Sequence, residues 1–275
     1  MTVKDIFLDI DEYYPTDFNK SIIYLHHTAG GHRPDWVVNG WNKDSNANGS
    51  TRRIATSYVV GGTSTRNGDT DWNGVVVRCF PESNWAWHLG ANGTNGMFDK
   101  TSIGIEICNY GYLTSSKNGQ FFNYVNSSVP ENQVVELGVP FRGFKFYHKY
   151  TDEQLDSVRS LLIDLGNRFN IPLHLGLVEN LRRESLIMPN NLSILDQQKW
   201  LNSYGFIGKN GKPLTEDGRW GANTAWAVQA VGISAFEFNP ATLTGHPGIW
   251  SHSNIRKDKT DVNPQPNLIS MLNSL

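Results

Sequence analysis

Two segments far apart in the chain constrain its fold most, because only tertiary structure can unite them. Near the start, the apolar run Ile22-Ile23-Tyr24-Leu25 ends in His26-His27-Thr28-Ala29-Gly30. More than two hundred residues later, Ser251-His252-Ser253-Asn254-Ile255-Arg256-Lys257-Asp258-Lys259-Thr260-Asp261 supplies another histidine and an aspartate. Two histidines and one carboxylate, with a coordination position left open, are a donor set suited to a catalytic zinc ion. Adjacent strand residues point to opposite faces, so His26 and His27 do not both face one metal easily; one binds and the other packs or bonds elsewhere. His246, in Leu243-Thr244-Gly245-His246-Pro247, competes with His252 for the middle position.

At 275 residues the chain is long enough for one large domain, or for one domain plus a small module. It can bury a core without disulfide staples. A net charge of −2 with no basic run gives no support for nucleic acid or an anionic membrane as the main partner. No segment approaches the ~18 apolar residues of a membrane span. Met1–Asp11 does not read as a secretory signal, which implies synthesis in the cytoplasm and export, if any, by another route. Nine Trp and ten Tyr are many for this length. They serve either core packing or a cleft that stacks on sugar rings or peptide. Cys79 and Cys108 lie in apolar, strand-like runs without metal spacing and read as buried free thiols, with a disulfide as the alternative if the strands are neighbours.

Ile22–His26, Ser57–Val60, Val75–Phe80 and Ile103–Cys108 read as strands. Residues 111–143, with Pro130 and Pro140, read as a polar, loop-like excursion. Thr151 opens a helix as an N-cap, with Gln154 placed to complete a capping box and Leu155, Val158, Leu161, Leu162 and Leu165 at helical spacing. Gly166 and Asn167 weaken its end. Strands alternating with helices give an α/β domain, a central mixed β-sheet flanked by helices. From Ser193, a helix, a Gly/Lys/Pro turn region, Asp217-Gly218-Arg219-Trp220-Gly221-Ala222-Asn223-Thr224 and a second helix form a unit too small to stand alone. Glu106 sits in Ser102-Ile103-Gly104-Ile105-Glu106-Ile107, sharing a face with Gly104. A carboxylate there is either structurally paired or a partly desolvated general base.

The motifs HHTAG at 26–30, SYVV at 57–60, AWHLG at 86–90, SIGIEI at 102–107 and HSNIRKDKTDVNPQP at 252–266 occur in one order. In these the chain resembles the zinc-dependent N-acetylmuramoyl-L-alanine amidases of type 2, which share a fold with peptidoglycan recognition proteins and phage lysozyme-type amidases. The resemblance implies His26, His252 and Asp261 as zinc ligands, with His252 nine residues before the aspartate where the family has about ten. It implies Glu106 as the acid that activates the water and Lys259 as the oxyanion-stabilising lysine. Tyr58 matches a position where some relatives place a catalytic tyrosine, and Trp87 and His88 match a cleft-lining segment; Thr28 joins these as a substrate-binding position. The 195–231 unit resembles a small peptidoglycan-binding module, with Trp200, Asp217, Trp220 and Asn223 as its binding positions.

The implied organisation is a catalytic domain of 1–179 and 240–275, interrupted by a helical module at 180–239. The implied reaction is cleavage of the bond between N-acetylmuramic acid and L-alanine of the peptidoglycan stem peptide. A non-catalytic recognition protein on the same fold is the main alternative, and a zinc hydrolase of another amide is a third reading. Wall polymer outside the cytoplasm fits a phage endolysin or an injected effector; the latter would bring an immunity protein or a secretion-apparatus component as a further partner.

Overall fold

The computed structural model describes residues 1–91, 95–187 and 192–275. Eleven strands occur among them: β1 (Thr2–Asp5), β2 (Ile22–His27), β3 (Tyr58–Val60), β4 (Val75–Arg78), β5 (Ser102–Ile107), β6 (Tyr112–Ser115), β7 (Phe121–Phe122), β8 (Ser128–Val129), β9 (Val134–Phe141), β10 (Phe144–His148) and β11 (Gly248–Ser251). The helices of the same residues are α1 (Pro34–Trp41), α2 (Met97–Thr101), α3 (Asp152–Phe169), α4 (Leu177–Ile187), α5 (Ile194–Ser203), α6 (Ala222–Ser234), α7 (His252–Ile255) and α8 (Pro266–Asn273).

The central sheet runs β1-β4-β3-β5-β2-β11. It is mixed: β2 pairs parallel with both β5 and β11, and β3 runs antiparallel to β4. All six residues of β2 are buried, as a strand with neighbours on both sides and cover on both faces requires. One face packs Val59, Val77, Ala55 and Ala86 against Val38 of α1. The larger cluster holds Leu25, Tyr58 and Ile105 with Leu155, Val158, Leu162 and Leu165 of α3. Helix α3 begins with the expected capping box at Thr151 and Gln154. It runs past Gly166 to Phe169, and a Cβ at Gly166 would lie 2.8 Å from Leu173 Cγ, so the glycine lets the following chain pack against the helix. Both cysteines are buried and free.

Residues 111–143 are not a loop-like excursion. They carry most of a second, antiparallel sheet in the order β8-β7-β6-β10-β9. Three features hid it. Its strands are short and only partly buried, so hydrophobic alternation is faint. Pro140 lies within β9, but β9 is an edge strand, where a missing N–H costs no ladder bond. The β9–β10 hairpin turns through Arg142 (φ 51°) and Gly143 (φ 85°), two left-handed residues that match strand twist, in place of the more familiar Asn-Gly.

Helices α5 and α6 enclose a small core of Leu201, Leu214, Ala227 and Val231. The side-chain amide of buried Gln198 ties it together, donating to Asp217 Oδ1 (3.0 Å), Arg219 O (3.0 Å) and Thr224 Oγ1 (3.2 Å) while its Oε1 accepts from the Asp217 and Gly218 N–H groups. The unit is docked on the rest of the fold. Gly138 of β9 has no Cβ where Gln229 of α6 lies against it, and Ile233, Ala235 and Phe236 belong to the main core, as does Leu181.

Candidate active site

The carboxyl ends of parallel strands are where α/β sheets expose backbone and loops to a ligand. Here β2 ends at His26-His27, and β5 places Glu106 in register with His26, so both side chains rise from one face on adjacent strands. On the other side of β2, Ser251 of β11 is in register with Leu25, which brings His252, the next residue, beside His26. A short helix holds it there: the Ser251 and Asn254 side chains form a capping box, and Asn254 also donates to Ala235 O and Glu237 O. The Ser253 N–H donates to Asp261 O at 2.7 Å, folding the aspartate back onto the pair.

The result is a tight triad. His26 Nδ1 lies 3.0 Å from His252 Nδ1, and Asp261 Oδ2 lies 3.0 Å from His252 Nδ1 and 3.5 Å from His26 Nδ1. His246 is elsewhere, at the opposite end of β11, where its half-exposed ring faces Glu179 at 3.5 Å. The register of β11 on β2 thus places His252, and not His246, beside His26. His27 points to the other face, with Nδ1 3.2 Å from Tyr150 Oη.

Outer hydrogen bonds fix which ring nitrogens carry protons. His252 Nε2 faces the Leu89 carbonyl at 2.9 Å and must donate to it, so in the neutral ring Nδ1 is bare. The Ser102 hydroxyl donates to Phe98 O and accepts from His88 Nε2 at 2.9 Å. His88 Nδ1 is therefore an acceptor, and it takes the Nε2–H of His26 at 3.0 Å, leaving His26 Nδ1 bare as well. Burial above all, then the neighbouring His252 charge, pushes His26 down to about 4, so its ring is neutral at pH 7. Asp261 stays ionised: burial opposes this, but the His252 and His26 partners hold its carboxyl well below the usual range. Two bare nitrogens and a carboxylate oxygen at such distances cannot hydrogen-bond one another; a cation among them satisfies all three. The residues therefore fit a metal ion, and among the described residues they are the group of three or more metal-ligating side chains whose donor atoms converge, within 4.8 Å.

Glu106 is the orphan of the site. Its Oε2 is buried with no hydrogen-bond partner among the described residues, and burial first, then the Asp261 charge, raises its carboxyl well above the ordinary range, with Lys259 opposing. Lys259 is half-buried, and its charge is felt at His26, His27 and Glu106.

Four further expected positions take the following places. Tyr58 is not brought to the triad. It is in register with Ile105, on the opposite face from Glu106, and its hydroxyl donates to Glu82 Oε1 and accepts from Arg168 Nη2 at 3.2 Å. The period of two places Val59, not Tyr58, on the Glu106 face. The Thr28 hydroxyl is engaged by the Asn109 backbone, accepting its N–H at 3.2 Å, so it closes β2 onto the end of β5. His88 orients His26 beneath the cleft, whereas Trp87 lies beside it with its ring N–H on Tyr14 Oη at 3.3 Å. Gly104 makes room for this: a Cβ there would lie 2.7 Å from Thr56 Cγ2 and 3.1 Å from His88 Nδ1. Sequence reasoning placed Gly104 on the Glu106 face without seeing that use. Of the module positions, Trp200 stacks on Tyr204 at 4.5 Å and Asp217 holds its own turn through Arg219 and Gln198. Asn223 is exposed, packed beside Gly208, and Trp220 is 54% exposed.

Fold and cluster together define an α/β protein with a metal-type polar centre at its strand ends. The family is then plain: the model of the N-acetylmuramoyl-L-alanine amidases matches residues 18–184, more than half of the chain, and the chain belongs to that family and enzyme class. Among solved structures, PlyL is 16% identical over 62% of this chain and 77% of its own, with a TM-score of 0.37. A mutant endolysin from Bacillus subtilis is 15% identical over 62% and 80%, also at 0.37. The amidase AmiD from E. coli, in complex with anhydro-N-acetylmuramic acid-L-Ala-D-gamma-Glu-L-Lys, is 14% identical over 79% and 90%, at 0.35. No curated protein sequence matches the chain. No helix among the described residues is long and apolar enough to cross a membrane.

Proposed function

We propose that the chain is a zinc-dependent peptidoglycan hydrolase that cleaves the amide between the lactyl group of N-acetylmuramic acid and L-alanine of the stem peptide. The observation that carries this reading is the juxtaposition of three bare donors, on His26, His252 and Asp261, with the unpartnered Oε2 of Glu106 on the adjoining strand. Zinc held by those donors would supply Lewis acidity toward water and the scissile carbonyl. Glu106 takes a proton from the attacking water, whose oxygen bonds to the carbonyl carbon, and gives that proton to the departing nitrogen as the C–N bond breaks. Its raised proton affinity suits a group that must both accept and return a proton near neutral pH. Lys259 presents positive charge where the oxyanion develops. Tyr58, engaged with Glu82 and Arg168 on the far face, has no part in this scheme.

The test is zinc analysis of the purified protein with mass spectrometry of digested sacculi. One equivalent of zinc and release of free stem peptides are expected, with zinc lost in His252→Ala and retained in His246→Ala. A protein that binds wall fragments without releasing peptide would establish the recognition-only alternative. The exposed Trp220 supports a second role for the α5–α6 unit in wall contact, to be read as weaker sacculus binding by Trp220→Ala.

A further inference from the structure

The two histidine donors are not held independently. His26 Nε2 donates to the His88 ring at 3.0 Å, and His252 Nε2 donates to the Leu89 carbonyl at 2.9 Å. His88 and Leu89 are consecutive, so a single dipeptide between β4 and α2 receives one ring N–H from each histidine. If that dipeptide shifts or turns, both rings lose the acceptors that set their orientation and tautomer.

A carboxylate from the next helix fixes the dipeptide. Asp99 of α2 is 1% exposed, and its Oδ1 accepts the N–H of His88 at 2.9 Å and that of Leu89 at 3.0 Å. Its Oδ2 is buried without a hydrogen-bond partner among the described residues. Such a half-satisfied buried carboxylate costs stability, so packing gives no reason for an acid at this position. Both donors converge on one oxygen, and what holds the dipeptide is an acceptor at that point. Helix α2 is anchored in turn: the buried Lys20 Nζ donates to Lys100 O at 2.7 Å and to Asn84 O at 2.8 Å. Ser102, which follows α2 directly, accepts from His88 Nε2 at 2.9 Å. The junction of α2 and β5 therefore grips His88 by its backbone and its ring, and Leu89 by its backbone.

We infer that Asp99 is a positioning residue for both histidine donors, acting through the His88–Leu89 dipeptide on which the two rings lean. The inference rests on the zinc reading for its consequence, and the ring geometry can be read without metal. In the metal-free protein, at a pH where the rings are neutral, ring nitrogen NMR shifts should show His26 and His252 each as a single Nε2–H tautomer. In Asp99→Ala both should pass to mixed tautomers, whereas His88→Ala should disturb His26 alone, because Leu89 stays clamped. Chelator competition should find zinc bound about 10–100-fold more weakly by Asp99→Ala, the usual effect of losing the outer partners of metal ligands. Asp99→Asn keeps an oxygen at the same point and should keep the parent's zinc affinity and both tautomers, whatever it does to the melting temperature; a role confined to folding would move affinity only together with melting. If Asp99→Ala does not fold, Asp99→Glu, whose carboxylate is displaced by one methylene, takes its place with the same expected outcome. Unchanged tautomers and zinc affinity in the folded variant, or a disturbance confined to His26, overturns the inference. A parent protein that binds no zinc would instead remove the metal reading, and the ring spectra would still decide whether Asp99 positions the two histidines.

Discussion

Glu82, which is buried, and Glu106, half-buried with one buried carboxylate oxygen, lie on opposite sides of one sheet, and their surroundings could hardly differ more. Glu82 Oε1 accepts from Tyr58 Oη and from Arg168 Nη2 at 2.9 Å, with Arg78 Nη1 at 3.7 Å. Burial pushes its carboxyl up, but the Tyr58 hydroxyl, its own backbone N–H and Arg168 outweigh that and hold it below its ordinary value. Glu106 Oε2 has no hydrogen-bond partner among the described residues, and burial carries it the other way. A buried carboxylate whose hydrogen bonds are filled is part of the architecture; one left open beside convergent donor atoms is what the proposed mechanism uses as its acid–base group.

The sharpest way to break this contrast is to exchange each carboxylate for its amide. Glu106→Gln should lower stem-peptide release by about 10²–10⁴-fold, the usual worth of a general acid–base group, and leave the melting temperature unchanged or higher. Glu82→Gln should leave turnover within about twofold, since it touches no group that handles a proton. Comparable rates for Glu106→Gln and the parent, read by mass spectrometry, would end the distinction. Next in size is the outer layer of the metal centre. His88→Ala should weaken zinc binding by about 10–100-fold in chelator competition, because His26 loses the acceptor that fixes its tautomer. Gly104→Ala should move affinity in the same direction by displacing His88. Undiminished affinity in both would reduce the His26–His88–Ser102 chain to packing.

On the structural side, Glu82→Ala should cost about 2–3 kcal/mol in urea unfolding. A broken buried ion pair is worth somewhat more, but Arg168 is 41% exposed, so water shares its charge. Smallest is the pH effect. Because Glu82 has a depressed pKa in the fold, its stabilisation is fully present above the unfolded value near 4.5 and disappears as pH falls through the folded one. Unfolding curves below pH 4.5 should therefore fall less steeply for Glu82→Gln than for the parent; parallel curves would show that Glu82 keeps an ordinary pKa.

The sequence was most legible where one dominant pattern governed. Apolar runs located β2 and β5, the capping box located α3, and period-two alternation put Gly104 with Glu106 and separated His26 from His27. Ambiguity arose where register mattered: choosing His252 over His246 required the pairing of β11 with β2, which no local pattern encodes. The placement of Tyr58 away from the triad was hidden for a similar reason, since motif position says nothing of the face a side chain takes. The second sheet was missed because two-residue strands bury too little to leave a period. His88 joins the centre through contacts with His26 and Ser102, which a linear reading cannot bring together.

The edge position of β11 carries one more consequence. His26 and His252 are 226 residues apart, and the strand that delivers His252 pairs with β2 only after the second sheet and the α5–α6 unit have emerged. Such a contact closes a very long loop and belongs to the slow, non-local part of folding. When β1 through β5 have all been synthesised, His252 and Asp261 have not. A chain that stops short of β11 therefore lacks both side chains that meet His26.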